Sequence, residues 1–188
     1  MRRRFWRGGR GPLRQMIMGG IPPLLLRSNE LMAAGKYAEA ADGLEQLAHA
    51  AEARGGRRGG RRAASLYLEA GRARLKSGQP AQALQLLQSG LSLLSASGLS
   101  LRLGQVAKRI IAEARALGFA QEGQLLSGFV EGLAPGFGTA AVAAGPMRRA
   151  PLPTHCPACG APVRPDEVEW LDELTAECEY CGSPVRST

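Results

Sequence analysis

A chain of 188 residues with 45% apolar content has room for one modest core, or for a helical domain of about 120 residues with a small appendage. No apolar run reaches the ~18 residues of a membrane-spanning helix, so a helical span is not expected. The formal net charge of +8 is uneven: residues 1–27 carry seven arginines and no acid, while residues 151–188 carry two arginines against seven acids, or −5, which leaves +13 for everything before them.

Four segments separate by composition. Residues 1–20 form an Arg/Gly-rich arm whose only aromatics are Phe5 and Trp6, a composition expected to be disordered. Its basic head and apolar patch have the outline of an export signal, but glycines and prolines interrupt the patch and no small-x-small cleavage site follows, so a cytoplasmic protein of bacterial type is expected. Residues 21–132 are Ala/Leu-rich with helical periodicity. Gly, Ala and Pro dominate residues 133–154, which read as a flexible linker, and residues 155–188 hold all four cysteines.

Within the second segment, prolines and glycines set the boundaries of six helices, at 24–34, 37–54, 63–76, 80–96, 99–117 and 119–132, with GGRRGGRR as an insert before the third. Joints this short favour antiparallel hairpins. GKYAEA at 35–40 and GQPAQA at 78–83 share the pattern G-x-[YP]-A-x-A at a spacing of 43, and GFAQE at 118 is a weaker echo. Gly35, Tyr37 and Ala40, followed by Leu44 and Leu47, resemble the turn between paired helices of the tetratricopeptide repeat superfamily; Gly78, Ala83, Leu87 and Gly90 repeat it. The resemblance implies a stack of antiparallel helical hairpins serving protein interaction, with the first helix of each pair lining a concave face. That face would carry Arg72, Lys76, Arg102, Lys108 and Arg109, and would suit a protein partner such as an acidic peptide. The fourth helix bears no charge, so it is expected in the middle of the stack.

HCPACGAPV and CEYCGSPV repeat the phrase C-x-x-C-G-x-P-V at an offset of 22, and place Cys156, Cys159, Cys178 and Cys181 in a C-x2-C-x18-C-x2-C pattern. That spacing reads as a metal site, because each C-x-x-C turn brings two thiolates to one side of a tight loop and two facing loops complete a tetrahedron. The segment between the pairs has room for two short strands, with Val168 and Trp170 on one face and a turn near 172–173. Residues 155–186 thus resemble a zinc ribbon with rubredoxin-like knuckles at both ends. The resemblance implies one Zn2+ with a structural role, since four sulfurs leave no open position and about 34 residues cannot fold on apolar burial alone. Two disulfides, a thioredoxin-type redox pair and an iron centre fit the context less well, and His155 is read as a bystander.

With four thiolates and a divalent ion the tail would reach about −7, which suits a basic protein surface, including the hairpins of its own chain, better than phosphate. His49 and His155 are the only histidines and have no Ser, Cys or Asp partner placed beside them by the sequence, so no enzymatic activity is expected. The expectation is therefore a mainly α protein, a tetratricopeptide-like hairpin stack joined to a small β zinc ribbon, acting as a non-enzymatic adaptor. A second reading takes RGGRG at 7–11 and RGGRRGGRR at 54–62, which resemble RGG-type RNA-binding segments, as contacts to RNA or DNA.

Overall fold

A computed structural model describes residues 21–98, 100–135, 150–165, 168–171 and 174–187. The basic arm, most of the linker and the expected turn at 172–173 lie outside the described residues. The protein is mainly α with a small β element. Six helices follow one another among the described residues: α1 (Pro23–Ala33), α2 (Tyr37–Ala53), α3 (Gly56–Lys76), α4 (Pro80–Ala96), α5 (Ser100–Ala116) and α6 (Ala120–Leu133). Strands β1 (Glu169–Trp170), β2 (Thr175–Glu177) and β3 (Pro184–Arg186) form an antiparallel sheet in that order.

The hairpin joints are built alike. Gly35, Gly78 and Gly118 each follow a helix with positive φ (75°, 75° and 91°). Each amide bonds back to a carbonyl three residues earlier, and the next amide reaches five residues back, as in Lys36 N–H to Leu31, Gln79 N–H to Arg74 and Phe119 N–H to Ala114. This is the Schellman closure, which satisfies two orphan carbonyls and requires a residue without a Cβ penalty in the left-handed region. The weak echo at Gly118 therefore has the same joint as the two clear repeats.

Helices α3 and α4 pack antiparallel through reciprocal leucine-into-glycine contacts. A Cβ on Gly71 would stand 2.6 Å from Leu87 Cγ, and one on Gly90 would stand 2.7 Å from Leu68 Cγ and 3.0 Å from the Ala64 carbonyl oxygen. The uncharged α4 buries Leu86, Leu87, Leu91 and Leu94 against neighbours on several sides. The most enclosed element is nevertheless α3, in which every residue from 63 to 75 is buried. It contributes Leu66 and Tyr67 to a cluster with α1, α2 and the cysteine domain, and Leu68 and Leu75 to a second cluster with α4, α5 and α6.

The structure corrects the expected start of this helix. GGRRGGRR is not an insert: all of it but Gly55 forms the first two turns of α3, entered from α2 through Arg54 and Gly55 alone. The glycines have a steric purpose here. At Gly59 a Cβ would lie 2.8 Å from the Ala51 carbonyl oxygen, so the start of α3 crosses the end of α2 at a distance only glycine permits.

Candidate metal centre and its docking face

The two cysteine phrases fold into two copies of one loop. Cys156 N–H donates to the Ala161 carbonyl and Gly160 N–H to the Cys156 carbonyl, both at 2.8 Å; in the second loop Cys178 N–H donates to Ser183 and Gly182 N–H to Cys178, at 2.9 and 2.7 Å. Gly160 and Gly182 take φ of 71° and 77°, which turns the chain back beneath the sulfurs. Even the pairing register is shared: His155 faces Pro162 in the first loop and Glu177 faces Pro184 in the second, each residue displaced by the same 22 positions. This pairing makes β3, a third strand beyond the two expected between the cysteine pairs; proline is tolerated at the first position of a strand.

All four cysteines are free, and their sulfurs lie within 4.8 Å of one another, with 3.8 Å between Cys156 and Cys181 and between Cys159 and Cys178. A disulfide would need about 2.05 Å. In a tetrahedron of sulfurs about 2.3 Å from a central ion the edges are about 3.8 Å long, so the cluster could hold one metal ion. Hydrogen bonds from Cys159 and Cys178 hold the Cys181 thiol far below the ordinary thiol range, whereas those same contacts with Cys178 and Cys181, together with burial, push Cys159 up. Thiols so close share their protons, and a cation relieves that competition by pairing with all four as thiolates. His155 is exposed, accompanies Thr154 at 3.1 Å and lies outside the cluster.

The cysteine domain is packed onto the helices. Ala161, Val163, Val168, Ala176 and Val185 share one apolar cluster with Leu25, Leu44 and Leu66. Around this apolar contact stand polar pins. Asn29 of α1 donates its amide to the Cys159 carbonyl at 2.7 Å, Ser65 of α3 donates to Glu179 at 3.1 Å, and Arg102 of α5 forms an ion pair with the same carboxylate.

Glu69 is the centre of this face. Its side chain is 5% exposed, and one oxygen, Oε2, accepts from both terminal nitrogens of Arg164, from Arg72 Nη1 and from the Tyr180 hydroxyl, all at 3.4 Å. Burial alone would raise this carboxyl; the charges of Arg164, Arg72 and Lys76 outweigh it and hold the group below the usual carboxylate value. Arg164 and Tyr180 belong to the cysteine domain and Arg72 to α3, so a single carboxylate ties the two parts together.

The arginines and lysines expected on a concave face are distributed otherwise. Arg72, only 2% exposed, also pairs through Nε with Glu113 of α5 at 3.2 Å, and Lys76 reaches the other oxygen of Glu113 at 3.5 Å. Arg102 meets Glu179. These three residues bind acids of their own chain. Lys108 stands exposed and Arg109 half-buried on α5. Sequence reasoning missed Glu69, Arg164 and Tyr180; the available signal was the small-residue environment of α3, with Ala63, Ala64, Ala70, Gly71 and Ala73, which leaves a charged residue little room to reach water. A second buried polar group is Tyr67, whose hydroxyl donates to Glu52 at 2.7 Å and meets His49 Nδ1 at 2.8 Å; burial, reinforced by Glu52, pushes this phenol well up.

Comparison with protein-family models, with curated proteins and with solved structures finds no match for this chain. No helix among the described residues is long and apolar enough to cross a membrane.

Proposed function

We propose that the protein is a non-enzymatic interaction adaptor of the cytoplasm, a tetratricopeptide-like hairpin stack whose first half is completed by a structural zinc ribbon. The observation that carries this reading is the joint burial of Glu69 by Arg72, Arg164 and Tyr180, beside four sulfurs at tetrahedral spacing. Zinc is the ion preferred by a closed set of four thiolates with no redox demand, and its role is to hold two loops in the one arrangement that presents Arg164 and Tyr180 to α3. The three identical hairpin joints support the repeat architecture. Arg72, Lys76 and Arg102 meet acids of their own chain, and the exposed position of Lys108, beside the half-buried Arg109 on α5, supports that helix as the contact for an acidic protein partner.

Two measurements test this. Elemental analysis of the reduced, purified chain is expected to give one zinc per chain, and absence of stoichiometric metal would refute the ribbon. Capture of partners from the native cell by the full chain, compared with a Lys108→Glu/Arg109→Glu variant, is expected to lose acidic proteins selectively; an unchanged set of captured proteins would remove α5 from the reading.

A further inference from the structure

The four cysteines are not equally enclosed. Cys156, Cys159 and Cys178 are 2%, 1% and 2% exposed, whereas Cys181 is half-buried. Helix α1 covers the first loop: Asn29 bonds the Cys159 carbonyl, and a Cβ on Gly160 would stand 3.8 Å from Asn29 Cβ. The second loop borders a cleft of about 480 Å3, which opens between it and the start of α3 and is lined by Cys178 and Gly182, on either side of Cys181 in the chain. Cys181 touches Cys156 at 3.8 Å, a contact between the two loops rather than within one C-x-x-C pair. Between Cys178 and Cys181 stand Glu179 and Tyr180, the residues that meet Ser65 and Glu69 of α3.

We infer that Cys181 and Cys156 form a peroxide-sensitive pair, and that their oxidation to a disulfide releases the cysteine domain from α3. The inference rests on the reading of the four cysteines as a zinc site. The thiolate is the nucleophilic form of cysteine and coordination keeps sulfur in that form, so attack is decided by which sulfur a small oxidant can reach. Cys181 is that sulfur. Its thiolate attacks one oxygen of hydrogen peroxide and the O–O bond breaks; the departing hydroxide takes a proton to become water, and the cysteine becomes a sulfenic acid. The Cys156 thiolate, already in contact, then attacks the sulfenic sulfur; the S–O bond breaks and a second hydroxide leaves as water. Two thiolates, one peroxide and two protons thus give one disulfide and two waters, a two-electron oxidation of the pair. A disulfide is about 2.05 Å long, against edges of about 3.8 Å in a tetrahedron of sulfurs around an ion. Closing the link therefore draws two corners together and leaves two thiolates where a closed site needs four. Tyr180 adjoins Cys181, so a shift of the second loop withdraws its hydroxyl from Glu69 and the Glu179 carboxylate from Ser65.

The test treats the zinc-loaded full chain with one equivalent of hydrogen peroxide and follows three readouts: disulfide linkage by peptide mass mapping, zinc release to a chromophoric chelator, and amide exchange. A link between Cys156 and Cys181 is expected, with loss of the bound zinc in step with it and faster exchange along residues 65–72. A thiol reductant with added zinc should reverse all three. Dimedone, a trap for sulfenic acids, is expected to label Cys181 when present during the oxidation. Four thiols that stay reduced under excess peroxide would overturn the inference. So would a dimedone label or a first link at Cys159 or Cys178, and so would a Cys156–Cys181 link that leaves exchange along 65–72 unchanged. Linkage mapping needs no metal: a chain purified without zinc refutes the ribbon, while its reduced cysteines still show whether Cys181 is attacked first and joins Cys156.

Discussion

Helices α3 and α4 lie side by side and each buries a long face, yet they do so by opposite means. Helix α4 carries no charge and is covered by leucine packing. Helix α3 encloses Glu69, Arg72 and Arg74 as deeply as its leucines, because acids or bases from α2, α5 and the cysteine domain meet each of them: Asp42 and Glu45 for Arg74, Glu113 for Arg72, Arg164 for Glu69. An apolar face accepts any apolar neighbour of suitable volume, whereas a buried carboxylate accepts only a surface that brings positive charge and a hydroxyl to one oxygen. The hydrophobic helix thus supports the stack in general, and the charged one selects what covers it.

The largest test of that contrast is removal of the ion that the four cysteines are proposed to hold. Binding to structural four-ligand sites is worth on the order of 10 kcal/mol, so chelation is expected to unfold the cysteine domain. Amide exchange should then rise along α3 near 65–72 and change little along α4; equal deprotection of both helices would erase the distinction drawn here. Next in size, Glu69→Ala leaves Arg72 and Arg164 facing each other without their shared acid, at a cost of about 3–5 kcal/mol by denaturant melting. A loss below about 1 kcal/mol would mean that the carboxylate is a passenger.

The same residue sets a pH dependence. Its carboxyl is held below the ordinary value, so the unfolded chain takes up the proton first as pH falls. The contribution of Glu69 is complete above the ordinary glutamate pKa of about 4.3 and is lost as acidity passes its folded value. The stability gap between the wild type and Glu69→Gln should therefore narrow on acidification, and a gap independent of pH would contradict the assignment. On the apolar helix, Gly90→Ala presses a methyl against Leu68 and the Ala64 carbonyl and should cost about 1–3 kcal/mol. The smallest effect, about 1 kcal/mol, is expected for Tyr67→Phe, which removes one hydroxyl from Glu52 and His49.

How much of this was legible in the sequence follows from the range of each interaction. Helix limits, joints and the cysteine cluster depend on neighbours within a few residues, and glycines, prolines and C-x-x-C spacing report them directly. The start of α3 was hidden because glycine disfavours a helix interior by about 1 kcal/mol each, a penalty that matters less than the close crossing at Ala51. The burial of Arg72 and Glu69 was hidden because charged letters read as solvent-facing until their partners are known. Arg164 and Tyr180 stand 95 and 111 positions from Glu69, beyond any periodicity.

The two cysteine loops agree in everything that holds an ion and differ in the pair of residues each carries between its thiols. Pro157 and Ala158 look outward to water, while Glu179 and Tyr180 turn inward to Arg102, Ser65 and Glu69. Fastening and addressing are in this way written in separate letters of one short word. Exchanging the two inner dipeptides should leave a domain that still takes up its ion and no longer knows which helix it belongs to.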